Sequence, residues 1–168
     1  MSDFDTIQKT FDKILGYLKN HNIEVLEKTV TDDPKADLMY NLLLQRKGGK
    51  RYPFQVTFFR SMKTFVLLNV SMKFSEVDTN AFNYLKETNK AKHEQLFMDL
   101  RKAIYPLNVD IEINIPNFLL TKEVTLEALG DEQFFMDQVH NFLHAIEVVR
   151  IRYDEFFYSM YPQGKPKD

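Results

Sequence analysis

Apolar residues recur three and four apart from Phe4 through Ile7, Phe11 and Ile14 to Leu18, which predicts an amphipathic helix over about 4–19, capped by Ser2 or Asp3. The period then shortens to two. Ile23 to Val30 reads as a first strand, Asp32-Asp33-Pro34-Lys35 as the turn after it, and a second strand starts near Asp37. In that strand Leu38, Tyr40, Leu42 and Leu44 alternate with Met39, Asn41, Leu43 and Gln45, and Lys47-Gly48-Gly49-Lys50 supplies a turn of paired glycines. Pro53 opens a third strand with Phe54, Val56 and Phe58 on one face. Beyond a short turn at Ser61-Met62-Lys63, a fourth strand puts Val66, Leu68, Val70, Met72 and Phe74 on one face.

The opposite face of strands three and four is mixed. Gln55, Thr57, Asn69, Ser71 and Lys73 suit water, whereas Phe59, Phe65 and Leu67 do not, and these three gather around the turn between the strands. Leu43 extends them into a second apolar patch. Such clusters mark a protein or peptide partner surface when exposed. The competing expectations are burial under the middle helix of the same chain and coverage by a second copy in a homodimer. A sheet edge beside the patch would also accept a peptide strand.

A helix begins near Asp78 or Thr79 with Phe82 and Leu85, turns polar from Glu87 to Gln95, and resumes with Leu96, Phe97, Leu100 and Ile104 up to Pro106, with a break expected near Asn89. Strand five alternates Val109, Ile111, Ile113 and Ile115 with Asp110, Glu112 and Asn114, one face for core and one for solvent. Pro116-Asn117 turns it into strand six, Phe118 to Leu126, with Leu120, Val124 and Leu126. A closing helix from about Asp131 carries Phe135, Val139, Phe142, Ile146, Val149, Tyr153, Phe156 and Met160. At 1.5 Å per residue this stripe runs ~40 Å, longer than a short sheet covers, so it crosses the sheet diagonally or its end packs elsewhere.

The pattern predicts an α+β fold, order α-ββββ-α-ββ-α, with a mostly antiparallel sheet of five to six strands and helices on one face. A single domain over 1–161 and a disordered tail over 162–168 are expected. This order of elements, from the helix at Phe4 to the helix ending near Met160, resembles the class I type III secretion chaperones and their relatives, among them the YbjN-like proteins and related uncharacterised families. The middle helix, a dimer seam in those chaperones, here has the polar centre Glu87-Thr88-Asn89-Lys90-Ala91-Lys92. The resemblance implies a non-enzymatic module that holds a polypeptide against its sheet.

Composition narrows the chemistry. The 168 residues are 44% apolar and include 15 Phe and 8 Tyr, enough for a large core, and with no cysteine the chain has neither disulfide nor thiolate chemistry. No stretch approaches the ~20 apolar residues of a membrane span and the N-terminus has no leader pattern, which makes the cytoplasm the expected compartment. A net charge of −2 offers no bulk attraction to nucleic acid or anionic lipid.

Three local constellations are candidates for chemistry. His140-x-x-x-His144 with Glu147 puts two imidazoles and a carboxylate on one helix face, as some metal sites require, but with no second element supplying ligands a solvated face is the stronger reading. Asp110 and Glu112 share a strand face about 6.6 Å apart, yet acids on a wet strand face need no catalysis to explain them. Arg46, Lys47, Lys50 and Arg51 place cations around a glycine turn that could contact an anion or nucleic acid, and equally could keep a hairpin tip soluble. Arg51-Tyr52-Pro53-Phe54 lacks an RNP pattern, and no nucleophile elbow, phosphate loop or dinucleotide fingerprint occurs. No cofactor or metal and no catalysis are expected; the function expected is polypeptide binding through Leu43, Phe59, Phe65 and Leu67, the alternatives being a small-ligand or metal-binding protein that uses the His140/His144 helix face and nucleic-acid association through the Arg46–Arg51 turn.

Overall fold

The computed structural model describes residues 3–47, 52–62 and 64–160. The elements follow the expected order: α1 (Asp3–Asn20), β1 (Ile23–Val30), β2 (Leu38–Arg46), β3 (Phe54–Phe59), β4 (Phe65–Lys73), α2 (Glu76–Thr88), α3 (Lys90–Ile104), β5 (Asp110–Asn114), β6 (Asn117–Thr125) and α4 (Glu132–Met160). Short 3-10 turns at Tyr105–Leu107 and Glu127–Gly130 lead into β5 and α4. The strands form one antiparallel six-stranded sheet in the order β1-β2-β3-β4-β6-β5. Backbone contacts divide the chain into two compact units, residues 1–70 with 121–141 and residues 71–120 with 142–168.

In the first unit, α1 buries Ile7, Phe11, Ile14 and Leu18, the stripe its periodicity predicts. The helix ends where Asn22 takes a left-handed backbone, φ 58°, a conformation that asparagine tolerates better than most residues. The chain reverses there into β1. Phe11 stacks on Tyr40 of β2 with ring centroids 4.5 Å apart, and the Tyr40 hydroxyl donates to Gln8 Oε1. Burial, reinforced by the Asp12 and Asp32 carboxylates, holds the Tyr40 phenol above its usual pKa. Around this stack the inner face of the sheet buries Leu42, Leu44, Phe54, Val56, Phe58, Val66 and Leu68.

Two details of this inner face depart from simple alternation. A bulge between Leu38 and Tyr40 pairs Leu38 with Phe59 and Tyr40 with Phe58, so Met39 and Tyr40 are both buried and Leu38 swings to the other face. Lys122 of β6 stands at a core-facing position, 3% exposed, and burial lowers the pKa of its ammonium group.

In the second unit, Ser75 caps α2 by accepting from Asp78 N at 3.1 Å, so the helix starts at Glu76, a few residues before the expected Asp78. Asn89 both ends α2 and caps α3, its Oδ1 accepting from Lys92 N at 3.1 Å, which is why the pattern breaks there. Phe82 is the hub of an aromatic cluster with Phe74, Phe97, Tyr153, Phe156 and Phe157. The far end of α4 therefore packs on other aromatics rather than on a longer sheet. There the buried residue is Phe157, whereas Tyr153 and Phe156 are only half-buried.

β5 is an edge strand, and this tempers its clean alternation: Ile111 and Ile113 are half-buried, not core. Asp131 caps α4, its carboxylate accepting from Phe134 N at 3.0 Å. No helix is long and apolar enough to cross a membrane among the described residues.

Candidate functional site

The outer face of the first unit, opposite the one on which Phe11 packs, carries the apolar patch. Register assigns its rows: Glu27 of β1 pairs with Leu43, Leu43 with Gln55, and Gln55 with Asn69; in the next row Thr29, Asn41, Thr57 and Leu67 follow one another across the sheet. One pleat further, Phe59 and Phe65 stand at the hairpin end, with Leu38 beside Phe59. Leu43, Phe59, Phe65 and Leu67 share this face as expected, and each is half-buried. Leu38 joins them through the bulge, which no alternation rule reveals.

A polar ladder crosses the middle of the patch. The Thr57 hydroxyl donates to Asn41 Oδ1 at 2.8 Å and accepts from Asn69 Nδ2 at 3.1 Å, tying β2, β3 and β4 together by side chains. Thr57 is 4% exposed, so the expectation that it faces water is corrected: with its hydroxyl satisfied as donor and acceptor, a threonine can be enclosed by neighbouring apolar side chains.

The hairpin end is clamped. Asp37 accepts from Ser61 N and Ser61 Oγ, both at 2.8 Å, one on each carboxylate oxygen. Arg60 Nε and Nη2 donate to the carbonyls of Ala36 and Asp33, each at 3.3 Å, and Arg60 N donates to Asp37 O at 2.6 Å. These bonds fix the turn that carries Phe59 and Phe65 against the β1–β2 connection.

The edge is a separate feature. β1 ends the sheet, with exposed Glu24, Glu27 and Lys28 and a bulge between Val25 and Glu27, the devices by which an edge resists pairing. Phe59 lies two strand spacings inward, ~10 Å, so a peptide strand added to β1 would not reach it.

The remaining sequence candidates are dispersed. Arg46 and Lys47 are exposed at the end of β2, and Lys50 and Arg51 lie outside the described residues. His140 and His144 are both exposed on α4, and Glu147 is engaged by Arg150 at 3.1 Å. His140 lies 5.9 Å, ring to ring, from His21, whose Nε2 is 3.5 Å from Glu132 Oε1. Partial desolvation, then His21 and Arg46, lower the His140 pKa against the opposing pull of Asp137. Among the described residues no group of three His, Asp or Glu side chains could hold a metal ion. Asp110 and Glu112 are exposed, and Glu112 accepts from Asn114 at 2.6 Å.

Two features of the second unit had no sequence signal. A groove of about 640 Å³ runs between α3 and the end of α4, lined by Lys92, Gln95, Leu96, Asp99, Arg152 and Phe156 among others. Along it Arg152 pairs with Glu155 at 3.0 Å, the Gln95 amide donates to Asp99 at 2.7 Å, and Lys92 stands over the Phe156 ring, 5.8 Å from its centroid. His93, 8% exposed, wedges edge-on against Phe97 at 4.6 Å and Phe82 at 6.4 Å, and its Nε2 has no hydrogen bond among the described residues. Burial, then the Lys86 charge, lower its pKa.

A family model described as an uncharacterized conserved protein (DUF2299) matches residues 10–151. The fold is similar to that of the crystal structure of an uncharacterized protein from Methanothermobacter thermautotrophicus, with a TM-score of 0.68 at 11% identity, covering 88% of this chain and 99% of that one. No curated protein matches the sequence.

Proposed function

We propose, from the premise that this chain belongs to the DUF2299 family, that it is a non-enzymatic, cytoplasmic polypeptide-binding module, chaperone- or adaptor-like, whose binding surface is the outer face of β2–β4. The observation that carries this reading is one surface. Leu38, Leu43, Phe59, Phe65 and Leu67 are five large apolar side chains that share a sheet face and stay half-buried, although the chain has a well-filled core on the other side. Half-buried aliphatic and aromatic side chains on a face stiffened by a side-chain ladder and a clamped turn are what a partner can cover without the surface rearranging. The resemblance in element order to the secretion chaperones points the same way.

The test is recovery of binding proteins from the native lysate on tagged protein, wild type against the Phe59→Asp, Phe65→Asp variant, with the variant's fold checked by far-UV circular dichroism. A polypeptide retained by the wild type, lost by the folded variant, and rebound as a purified protein supports the reading. Identical recovery on both, or an unfolded variant, counts against it.

A further inference from the structure

Resting on that reading, we propose that the occupant of the outer face is a short basic amphipathic helix of a partner protein: two to three turns with an apolar stripe, flanked by Lys or Arg on both sides.

Charge placement around the patch supplies the first argument. Among strand positions of this face within the first unit, the ionisable residues are Glu24 and Glu27 on β1 and Glu123 on β6, all exposed. The hydrogen bond from Leu126 N to Thr64 O sets the β4–β6 register, and counting back along both strands puts Glu123 opposite Leu67. Glu27 pairs with Leu43. The apolar strip on β2, β3 and β4 therefore has a carboxylate on each flank, and among the described residues no cationic strand residue of that unit shares its face: Lys28, Arg46 and Lys122 fall on the other one.

Size supplies the second argument. Three strands span ~10 Å between the outer two, against a helix diameter of ~10–12 Å. From the Leu43–Gln55 row to Phe59 the strip is four residues long, ~13 Å, or about nine residues of helix. Apolar residues at i, i+3 or i+4, and i+7 of such a helix would meet the patch. Lysine or arginine side chains leaving its two flanks would reach the Glu27 and Glu123 columns, each one strand spacing beyond the strip. The ladder leaves the Asn41 amide nitrogen and the Asn69 amide oxygen without a partner among the described residues, available to polar side chains of the helix.

The same charges argue against a second copy on this face. In a face-to-face pair the two-fold axis lies in the plane between the sheets. An axis along the strands carries Glu27 over Glu123 of the second copy, and an axis across them carries Glu27 over Glu27. In both of these arrangements acid meets acid, which disfavours them and favours a cationic partner.

The test uses the full chain and three synthetic helical peptides of fourteen residues: a leucine stripe flanked by lysines, the same stripe flanked by glutamates, and a scrambled lysine peptide without a stripe. Binding is read by fluorescence anisotropy at low and high salt. The expected result is that the striped lysine peptide binds at least tenfold tighter than the other two. Its affinity falls at least tenfold for Glu27→Lys, Glu123→Lys and several-fold for the near-isosteric Glu27→Gln, Glu123→Gln, while the glutamate peptide gains on the charge-reversed variant. Equal affinity of the lysine and glutamate stripes, both lost in Phe59→Asp, Phe65→Asp, would overturn the charge preference and leave the apolar binding face standing. Binding of either striped peptide that is indifferent to Phe59 and Phe65 would overturn both readings, and so would a protein dimer dissociated by Phe59→Asp. Equal binding of the scrambled peptide would overturn the helix.

Discussion

Phe58 and Phe59 are neighbours in β3 that differ in little but the face they occupy, which makes them a test of whether the outer patch is surface. Phe58 is 3% exposed on the core side; Phe59 is half-buried on the other. Truncating a buried phenylalanine costs about 3–5 kcal/mol, and an aspartate there also needs a carboxyl desolvated, which adds roughly 2 kcal/mol or more. Phe58→Asp thus loses about 5 kcal/mol or more, comparable with the ~5–15 kcal/mol that holds a domain folded. For Phe59→Asp, half of the ~1.5–3 kcal/mol available from burying the ring, plus ~1 kcal/mol of strand preference, gives about 2 kcal/mol. In a chain of this size that is a fall in melting temperature of roughly 4–8 °C. Thermal melts by circular dichroism and urea titrations of the two variants decide it. Similar collapse of both would show that Phe59 is core, and tolerance of Phe58→Asp would show that the faces are reversed.

Three further outcomes follow. Thr57→Val keeps shape but deletes both ladder hydrogen bonds, and should lower stability by about 1–2 kcal/mol in urea titrations; unchanged or raised stability would show that the ladder is dispensable. Asp37→Ala frees Ser61 and should cost about 1 kcal/mol while speeding amide exchange selectively over residues 59–65, with uniform exchange as the contrary result. His93 has a folded-state pKa below the unfolded value of ~6.5, so the unfolded chain binds more protons as pH falls and stability drops below about pH 6.5, with no effect above it. His140 shifts in the same direction, so His93→Leu should flatten part, not all, of that acid limb; an acid limb unaltered by His93→Leu would contradict the role given to its burial.

Much of this fold was legible because the inner face repeats one rule: Phe54, Val56 and Phe58, then Val66, Leu68 and Val70, alternate without interruption. The outer patch was legible for the complementary reason, since Phe59, Phe65 and Leu67 occupy positions where alternation demands polar residues. What escaped were departures from period two. The bulge at Leu38 adds a residue to β2 and leaves no mark in a run already rich in apolar side chains. Thr57 and Lys122 look like solvent residues, and their burial depends on what neighbouring strands present to them. The half-buried state of Ile111 and Ile113 follows from β5 being an edge, a fact of strand order that no local pattern contains. At the end of α4 the buried position moves from Phe156 to Phe157, because there the helix packs on the aromatics of α2 and α3 instead of a sheet.

The central claim is that the outer face of β2–β4 meets a polypeptide, and site-specific photo-cross-linking in extract of the source cells tests it most directly. A photoreactive phenylalanine analogue is placed at Leu67, in the patch, and in a second preparation at Tyr84, 69% exposed on α2 of the second unit. The account predicts a discrete protein adduct from position 67, absent from position 84, whose cross-linked segment is apolar and flanked by lysine or arginine. Adducts shared equally by the two positions, or none from position 67, would contradict it.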